Sequence, residues 1–182
     1  MSAWDWSSSS SSSSSDDEWE TEHKNAPRYK RGGKWVRTSG DDIPPRAMEA
    51  GHDNEGRPLY VGRARHEGGL FPGKVNPRHN CCYIPWGGEE HSKEEYDILV
   101  APRNCDLTWV DASNGHIPTG AVQGGFNENN DPLYIGRAHI EDSFAVGKVN
   151  PEHGCCYVAY GGAEHAKEHY QVLVIDRMRL KH

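Results

Sequence analysis

One polar string occurs twice in the sequence. The stretch GKVNPRHNCCYIPWGGEEH, residues 73–91, returns 74 residues later as GKVNPEHGCCYVAYGGAEH, residues 147–165. Each copy contains a lysine, two histidines and two adjacent cysteines. Such side chains can bind a metal ion, act as nucleophiles or hydrogen-bond a ligand, so three kinds of site have to be compared.

The cysteine spacing argues against a metal site. Zinc sites usually separate two cysteine ligands by two to four residues, whereas Cys81 is adjacent to Cys82 and Cys155 to Cys156. Adjacent side chains on a strand point to opposite faces, so we expect one thiol of each pair to be buried and the other to face outward. The odd total of five cysteines favours reduced thiols over a disulfide framework.

A cysteine–histidine nucleophile is also disfavoured. No glycine elbow surrounds any of the cysteines, and no third residue that would orient a histidine is evident. The strings GGEEH and GGAEH are typical of turns, in which Glu90, His91, Glu164 and His165 cap or pair with neighbouring strands. We therefore expect neither enzymatic activity nor a cofactor.

A hydroxyl-rich ligand is the third possibility. A sugar site needs a carboxylate to accept from neighbouring hydroxyls, a cationic or amide donor to the same pair, and an aromatic or glycine surface. The first copy offers Asp53, in AGHDNEG, and Lys74, and the second offers Asn127, in GGFNENN, and Lys148. Trp86 and Tyr160 flank the double glycines and are candidate stacking faces.

The elements that position these residues are duplicated. Residues 35–100 align with residues 109–174 without a gap, and about half of the aligned positions are identical. The predicted organisation is an arm (1–34), a first repeat (35–100), a linker (101–108), a second repeat (109–174) and a C-terminal extension (175–182). Because the linker is short, we expect both repeats to pack as one globule with approximate two-fold symmetry.

Each repeat predicts short strands separated by turns. The pairs PLYVGRA and PLYIGRA, CCYIPWGG and CCYVAYGG, and EYDILV and HYQVLV are short apolar or alternating runs bounded by proline or glycine. The segment PRAMEA is too short for a helix. The predicted fold is all-β, with small antiparallel sheets.

The arm has a different composition. It contains the unbroken serine run Ser7–Ser15 and few aliphatic residues, so it is predicted to be disordered. Residues 1–25 carry a charge of −5 out of the total of −7, which leaves the body nearly neutral and argues against a nucleic-acid partner. No run approaches the ~20 apolar residues of a membrane span, and no signal peptide is evident, so a cytoplasmic location is expected, with unconventional secretion left open.

The ordered pattern across both repeats resembles a known family. The string W-V…IP…A…G-H-D…LYVGRA…PGKV…CYIPWGG-x-EH…Y-D-I-L-V is similar to the DM-nine repeats of invertebrate mannose-binding lectins and immune-responsive proteins. The resemblance implies a soluble all-β lectin that binds mannose without calcium, with Asp53 and Lys74 holding the sugar. The second repeat departs from this pattern at Asn127 and at the VGK before Lys148, which implies a weaker second site.

Two functions follow as expectations. The first is a mannose-type lectin that recognises or agglutinates glycan-bearing targets in innate immunity, with two sites per chain or a homodimer raising avidity. The second is an intracellular adaptor regulated through the arm, where Ser13, Ser14 and Ser15 each precede an acid by three residues.

Overall fold

The computed structural model describes residues 33–178, and within them the fold is all-β. Fourteen strands and one 3₁₀ turn at Pro77–His79 make up its regular structure. The strands are β1 (Lys34–Ser39), β2 (Glu49–His52), β3 (Pro58–His66), β4 (Gly69–Asn76), β5 (Cys81–Trp86), β6 (Glu89–Lys93), β7 (Glu95–Val100), β8 (Cys105–Ser113), β9 (Gln123–Phe126), β10 (Pro132–Ile140), β11 (Ser143–Asn150), β12 (Cys155–Tyr160), β13 (Ala163–Lys167) and β14 (His169–Met178).

The strands form one continuous antiparallel sheet that closes on itself. Eight neighbours complete a barrel in the order β3, β2, β11, β12, β13, β6, β5 and β4, and β4 pairs back with β3. The other six strands extend this ring: β7 and β1 beside β3, β9 and β10 between β4 and β11, and β14 and β8 beside β10. Closure leaves few exposed strand edges within this part of the chain.

The two repeats are interleaved in the barrel and related by a pseudo-two-fold axis. His52 of β2 pairs with Phe144 of β11, and the residues 74 positions away repeat that contact, since Phe126 of β9 pairs with Leu70 of β4. Strands β6 and β13 meet at the axis itself. The predicted all-β, pseudo-two-fold globule is confirmed, although its strands share one sheet and do not form separate small ones.

Glycines in the repeated string permit close approach of the backbone. A Cβ atom at Gly73 would lie 2.1 Å from the carbonyl oxygen of Tyr83, and one at Gly147 would lie 1.8 Å from that of Tyr157. Only glycine fits there, which explains why each lysine of the string follows a glycine. The hairpins at 87–88 and 161–162 have positive φ at both positions, as a two-residue turn between twisted strands requires.

Strands β5 and β12 are buried on both faces, and this decides where their cysteines lie. No disulfide joins the five cysteines and all are buried, so the expectation that one of each adjacent pair faces outward was wrong. Cys82 and Cys156 lie within apolar clusters, and burial strongly raises the pKa of both thiols. A neutral, inaccessible thiol is a packing residue and a poor nucleophile.

Two further predictions concern the N-terminal arm and membrane-spanning helices. Residues 1–32, with Ser13 to Ser15, lie outside the described residues, so the predicted disorder of the arm and the adaptor hypothesis stay predictions. Between residues 33 and 178, no helix is long and apolar enough to cross a bilayer.

Candidate functional site

The two lysines of the repeated string lie inside the barrel. Lys74 of β4 is 8% exposed and Lys148 of β11 is 7% exposed. Each ammonium group is paired with a carboxylate of its own repeat, Lys74 Nζ with Glu90 Oε2 and Lys148 Nζ with Glu164 Oε2, both at 3.1 Å. Burying a charge is costly unless it is paired, so each lysine depends on its glutamate.

Each glutamate is held in place by the opposite repeat. The Gly162 N–H donates to Glu90 Oε1, and the Gly88 N–H donates to Glu164 Oε1, both at 3.2 Å. The hairpins also bond to each other through their backbones, from Glu90 N to Gly162 O at 3.0 Å and from Glu164 N to Gly88 O at 2.9 Å. Each ion pair thus lies within one repeat, but the glutamate of each pair is held by a backbone N–H of the other repeat.

Aromatic rings line both lysines. Lys74 Nζ lies 5.4 Å from the ring centre of Tyr83 and 5.5 Å from that of Tyr160, and it donates to the carbonyl oxygen of Ala159. An ammonium group this close to a ring face gains from the ring quadrupole.

The second lysine has a partly different setting. Lys148 Nζ lies 5.3 Å from the ring centre of Tyr157 and 4.8 Å from that of Phe71. Burial lowers the pKa of Lys148, and the Glu164 carboxylate opposes that shift. The ammonium is thus stripped of water but still paired, as a preformed hydrogen-bond donor requires.

The tyrosine beside each lysine has its hydroxyl within hydrogen-bond distance of a histidine. The Tyr83 hydroxyl lies 3.0 Å from His79 Nδ1, and the Tyr157 hydroxyl lies 2.9 Å from His153 Nδ1. Burial, together with the neighbouring Cys81 or Cys155, raises the pKa of each of these tyrosines to about 12. Both hydroxyls are therefore neutral at physiological pH and can donate or accept.

Asp53 organises a turn. Its Oδ1 accepts from the N–H groups of Glu55 and Arg57, both at 2.9 Å, and its Oδ2 pairs with Arg57 Nε at 2.8 Å. Burial would raise the pKa of the Asp53 carboxyl, but these hydrogen bonds outweigh it and lower the pKa below its ordinary 3.8. Among residues 33–178, no hydrogen bond or ion pair joins Asp53 to Lys74.

Asn127 makes the same turn with a different pair of residues. Its Oδ1 accepts from the N–H groups of Asn129 and Asp131, and its Nδ2 donates to Asp131 Oδ2 at 2.9 Å. The amide and carboxylate of the second repeat thus replace the carboxylate and guanidinium of the first. Within residues 33–178, no hydrogen bond joins Asn127 to Lys148.

The glutamates are the site residues whose importance the sequence understated. Glu90 and Glu164 were predicted to cap or pair with strands, and both do form ion pairs, but their lysine partners were not foreseen. The alternation of side chains along the strands indicates this pairing. Lys74 pairs with Tyr83, Tyr83 pairs with Ser92, and Glu90 lies on the same face as Ser92, so Lys74 and Glu90 share one face of the sheet. Within the described segment, no three His, Cys, Asp or Glu residues are grouped as metal ligands would be.

Comparison with known proteins identifies both the repeat and the fold. The model of the DM9 repeat matches residues 26–93, 56–167 and 147–181. Natterin-4 of Thalassophryne nattereri is 28% identical over 144 residues, covering 79% of this chain and 34% of the relative. Natterin-1 of the same organism is 27% identical over 146 residues, covering 79% of this chain and 38% of the relative.

The chain thus spans about a third of the length of these curated relatives. Among solved structures, the crystal structure of the nematode sperm cell motility protein MFP2B resembles it with a TM-score of 0.62 and 16% sequence identity. That match covers 82% of this chain and 46% of the other. At this level of identity the similarity shows the fold alone.

Proposed function

The chain belongs to the DM9 repeat family, and on that premise we propose that it is a carbohydrate-binding protein, a mannose-type lectin that needs no calcium. The observation that carries the proposal is the buried lysine–glutamate pair, present in both repeats. A cation and a carboxylate 3.1 Å apart match neighbouring sugar hydroxyls, each of which can accept from the ammonium and donate to the carboxylate.

The glutamates have hydrogen-bonding capacity to spare. Oε2 of Glu90 and Oε2 of Glu164 are both buried, and apart from the ion pair neither accepts a hydrogen bond from the described residues. A donor from a ligand hydroxyl would satisfy them, and buried polar atoms generally do find such partners. The tyrosine and histidine side chains beside each lysine offer further donors and acceptors.

Asp53 and Asn127 remain predicted contacts of the same ligand. Their loops present polar side chains, but the described contacts do not join them to the lysines. Recognition of microbial or endogenous glycans, agglutination and a homodimer that raises avidity are likewise proposals. Single sugar sites built from few polar contacts usually bind weakly, so multivalent glycan is the appropriate probe.

Retention on immobilised yeast mannan in the presence of EDTA tests this function. We expect the full-length protein to be retained and eluted by mannose. The quadruple variant Lys74→Met, Glu90→Gln, Lys148→Met, Glu164→Gln removes all four charges as balanced pairs, and it should pass through the column. Lys34→Met, at an exposed lysine of β1, is the matched control and should be retained.

Circular dichroism has to show that the quadruple variant is folded for its loss of retention to count. If the wild-type protein fails to bind mannan, the lectin proposal is wrong. If the folded quadruple variant binds as well as wild type, the pairs only stabilise the barrel. Asp53→Ala, assayed in parallel, tests the predicted role of Asp53 separately from that of Lys74.

A further inference from the structure

The aromatic residue before each glycine hairpin contacts residues of the other repeat. Trp86 ends β5 and Tyr160 ends β12, and the two are 74 residues apart. The ring of Tyr160 lies over Lys74, and the carbonyl oxygen of the adjacent Ala159 accepts from the same ammonium. A residue of the second repeat therefore forms one wall around the lysine of the first repeat.

At the second site Phe71, 4.8 Å from Lys148 Nζ, supplies the second ring over the lysine, and Trp86 is linked to that lysine through Glu128. The Trp86 indole N–H donates to the carboxylate of Glu128, in the Asn127–Asp131 turn of the second repeat. That carboxylate is also among the charges that favour the protonated form of Lys148 against the effect of burial. Trp86, Glu128 and Lys148 thus belong to one neighbourhood built from both repeats.

Two histidines fix the orientation of the Trp86 ring. His66 meets it edge to face at 4.8 Å, His91 meets it at 5.9 Å, and His91 Nε2 lies 3.0 Å from the Trp86 carbonyl oxygen. Lys93 Nζ in turn lies 2.8 Å from His66 Nδ1. In the second repeat the position of His66 is taken by Ile140, which packs in the core, whereas His165 repeats at Tyr160 the contacts that His91 makes with Trp86.

These contacts leave Trp86 half-buried, with its polar edge satisfied and part of its ring open to solvent. A fixed, partly exposed indole presents a large apolar area at little entropic cost. The C–H face of a pyranose ring is a suitable partner, because it is apolar while the hydroxyls around it remain free for the nearby lysine and glutamate.

Resting on the proposed carbohydrate-binding function, we propose that Trp86 and Tyr160 are the stacking faces of two sugar sites, each serving the lysine of the other repeat. The first site then combines Lys74 and Glu90 with Tyr160. The second combines Lys148 and Glu164 with Trp86, whose larger ring offsets the missing carboxylate at Asn127. Both sites of the chain bind a mannose-type pyranoside.

Crossed variants of the full chain test this assignment, with mannotriose as the probe and NMR titration as the measurement. The background Lys74→Met, Glu90→Gln leaves only the second site, and the background Lys148→Met, Glu164→Gln leaves only the first. Trp86→Leu should weaken mannotriose binding about tenfold in the first background, the size expected for a lost aromatic contact. In the second background its effect should be less than about twofold.

Tyr160→Leu should show the reverse dependence on background. Trp86→Tyr, which copies the second repeat, should restore most of the affinity lost in Trp86→Leu and so distinguishes stacking from misfolding. The assignment is overturned if Trp86→Leu has no effect where the second site alone remains, or if it acts only on the site of its own repeat. Failure of the wild-type protein to bind mannotriose or mannan would instead overturn the proposed function itself.

Discussion

The two repeats build the same three-residue network from different charges. In the first repeat Arg37 and Arg63 both pair with Asp97 through their Nε atoms at 3.0 Å. The corresponding residues of the second repeat are Asp111, Arg137 and Gln171. Gln171 accepts from Arg137 Nε and donates to Asp111 Oδ1, both at 2.9 Å.

The geometry of the network is thus the same although the signs of its charges differ, and the turns at Asp53 and Asn127 show the same exchange. The fold requires the hydrogen bonds at these places, but different combinations of charged and neutral side chains can form them. The lysine–glutamate pairs near the axis are different, because both residue types are the same in both repeats. Both repeats keep the same two charges there, as expected of a ligand site or of a buried pair that cannot lose one member alone.

The largest expected effect comes from separating the strands where the two repeats pair, at His52–Phe144 and at Leu70–Phe126. A Cβ at Gly51 would lie 1.9 Å from the Phe144 carbonyl oxygen, and a Cβ at Gly125 would lie 1.9 Å from that of Leu70. Gly51→Ala and Gly125→Ala should each lower the free energy of unfolding by about 3 kcal/mol or more, because the strands must separate. Urea denaturation followed by circular dichroism measures this.

Gly40→Ala is the matched control for these glycines. Gly40 has a φ of +65° and nothing within 4 Å of an added Cβ, so its substitution should cost only about 1 kcal/mol. Near-equal losses at Gly51 and Gly125 would support the symmetric interleaving. A loss at only one of them, or losses no larger than that of Gly40→Ala, would contradict it.

Removing one charge of a lysine–glutamate pair should have the next largest effect. Lys148→Met leaves the Glu164 carboxylate buried without its cation, which should destabilise the protein by about 3 kcal/mol. The double variant Lys148→Met, Glu164→Gln should recover most of that loss, since the introduced glutamine carries no charge and can still accept from the Gly88 N–H. Thermal unfolding of wild type, both single variants and the double variant gives the coupling energy.

The equivalent cycle at Lys74 and Glu90 sharpens the comparison between repeats. We expect coupling of similar size there, because distances and burial are nearly the same. If the stability changes of the two single variants at either pair simply add in the double variant, the two charges are solvated and independent.

A smaller gain is expected from giving Arg137 the carboxylate that Arg63 has. Burial without an anionic partner in direct contact lowers the pKa of Arg137 to about 10. The double variant Asp111→Arg, Gln171→Asp copies the first repeat and should stabilise the protein by about 1 kcal/mol. Gln171→Asp alone should gain less, because the new carboxylate faces Asp111. If wild type, Gln171→Asp and the double variant have equal stability in thermal unfolding, a carboxylate beside Arg137 does not stabilise the protein.

The smallest effect concerns acid sensitivity of the first turn. The folded-state pKa of Asp53 is below its unfolded value, so its stabilising contribution is present above about pH 4 and is lost as pH falls through the folded pKa. Asp53→Asn keeps the turn, as Asn127 shows, but removes this titration. The melting temperature should therefore fall less steeply below pH 4 in the variant than in wild type. Identical slopes would show that the Asp53 carboxylate does not contribute to the acid sensitivity.

Much of the fold followed from local patterns, whereas the interleaving did not. Short alternating runs, glycine pairs and the 74-residue repeat predicted an all-β, two-fold body, because they report on strand faces and turns. The pairing of His52 with Phe144 could not be predicted, since residues 92 positions apart carry no local signal. The same holds for the cysteines, whose burial depends on what covers the second face of β5 and β12.

The candidate site was only partly foreseen for a related reason. Lys74 and Lys148 were proposed as cationic donors to sugar hydroxyls, and through the resemblance to DM-nine repeats, but they were expected on turns, whereas the structure places them within β4 and β11. Their partners Glu90 and Glu164 look like ordinary turn residues until the two hairpins meet across the axis. The aromatic walls supplied by Tyr160 and Trp86 depend entirely on that meeting.

The most direct test of the account is a crystal structure of the full chain with mannose-type ligand at saturating concentration and without calcium. Sugar density is expected at two places related by the pseudo-two-fold axis, with hydroxyl oxygens in hydrogen-bond contact with Lys74 Nζ and Lys148 Nζ. Ligand bound elsewhere, with both lysine–glutamate pairs unchanged and inaccessible to it, would contradict that claim.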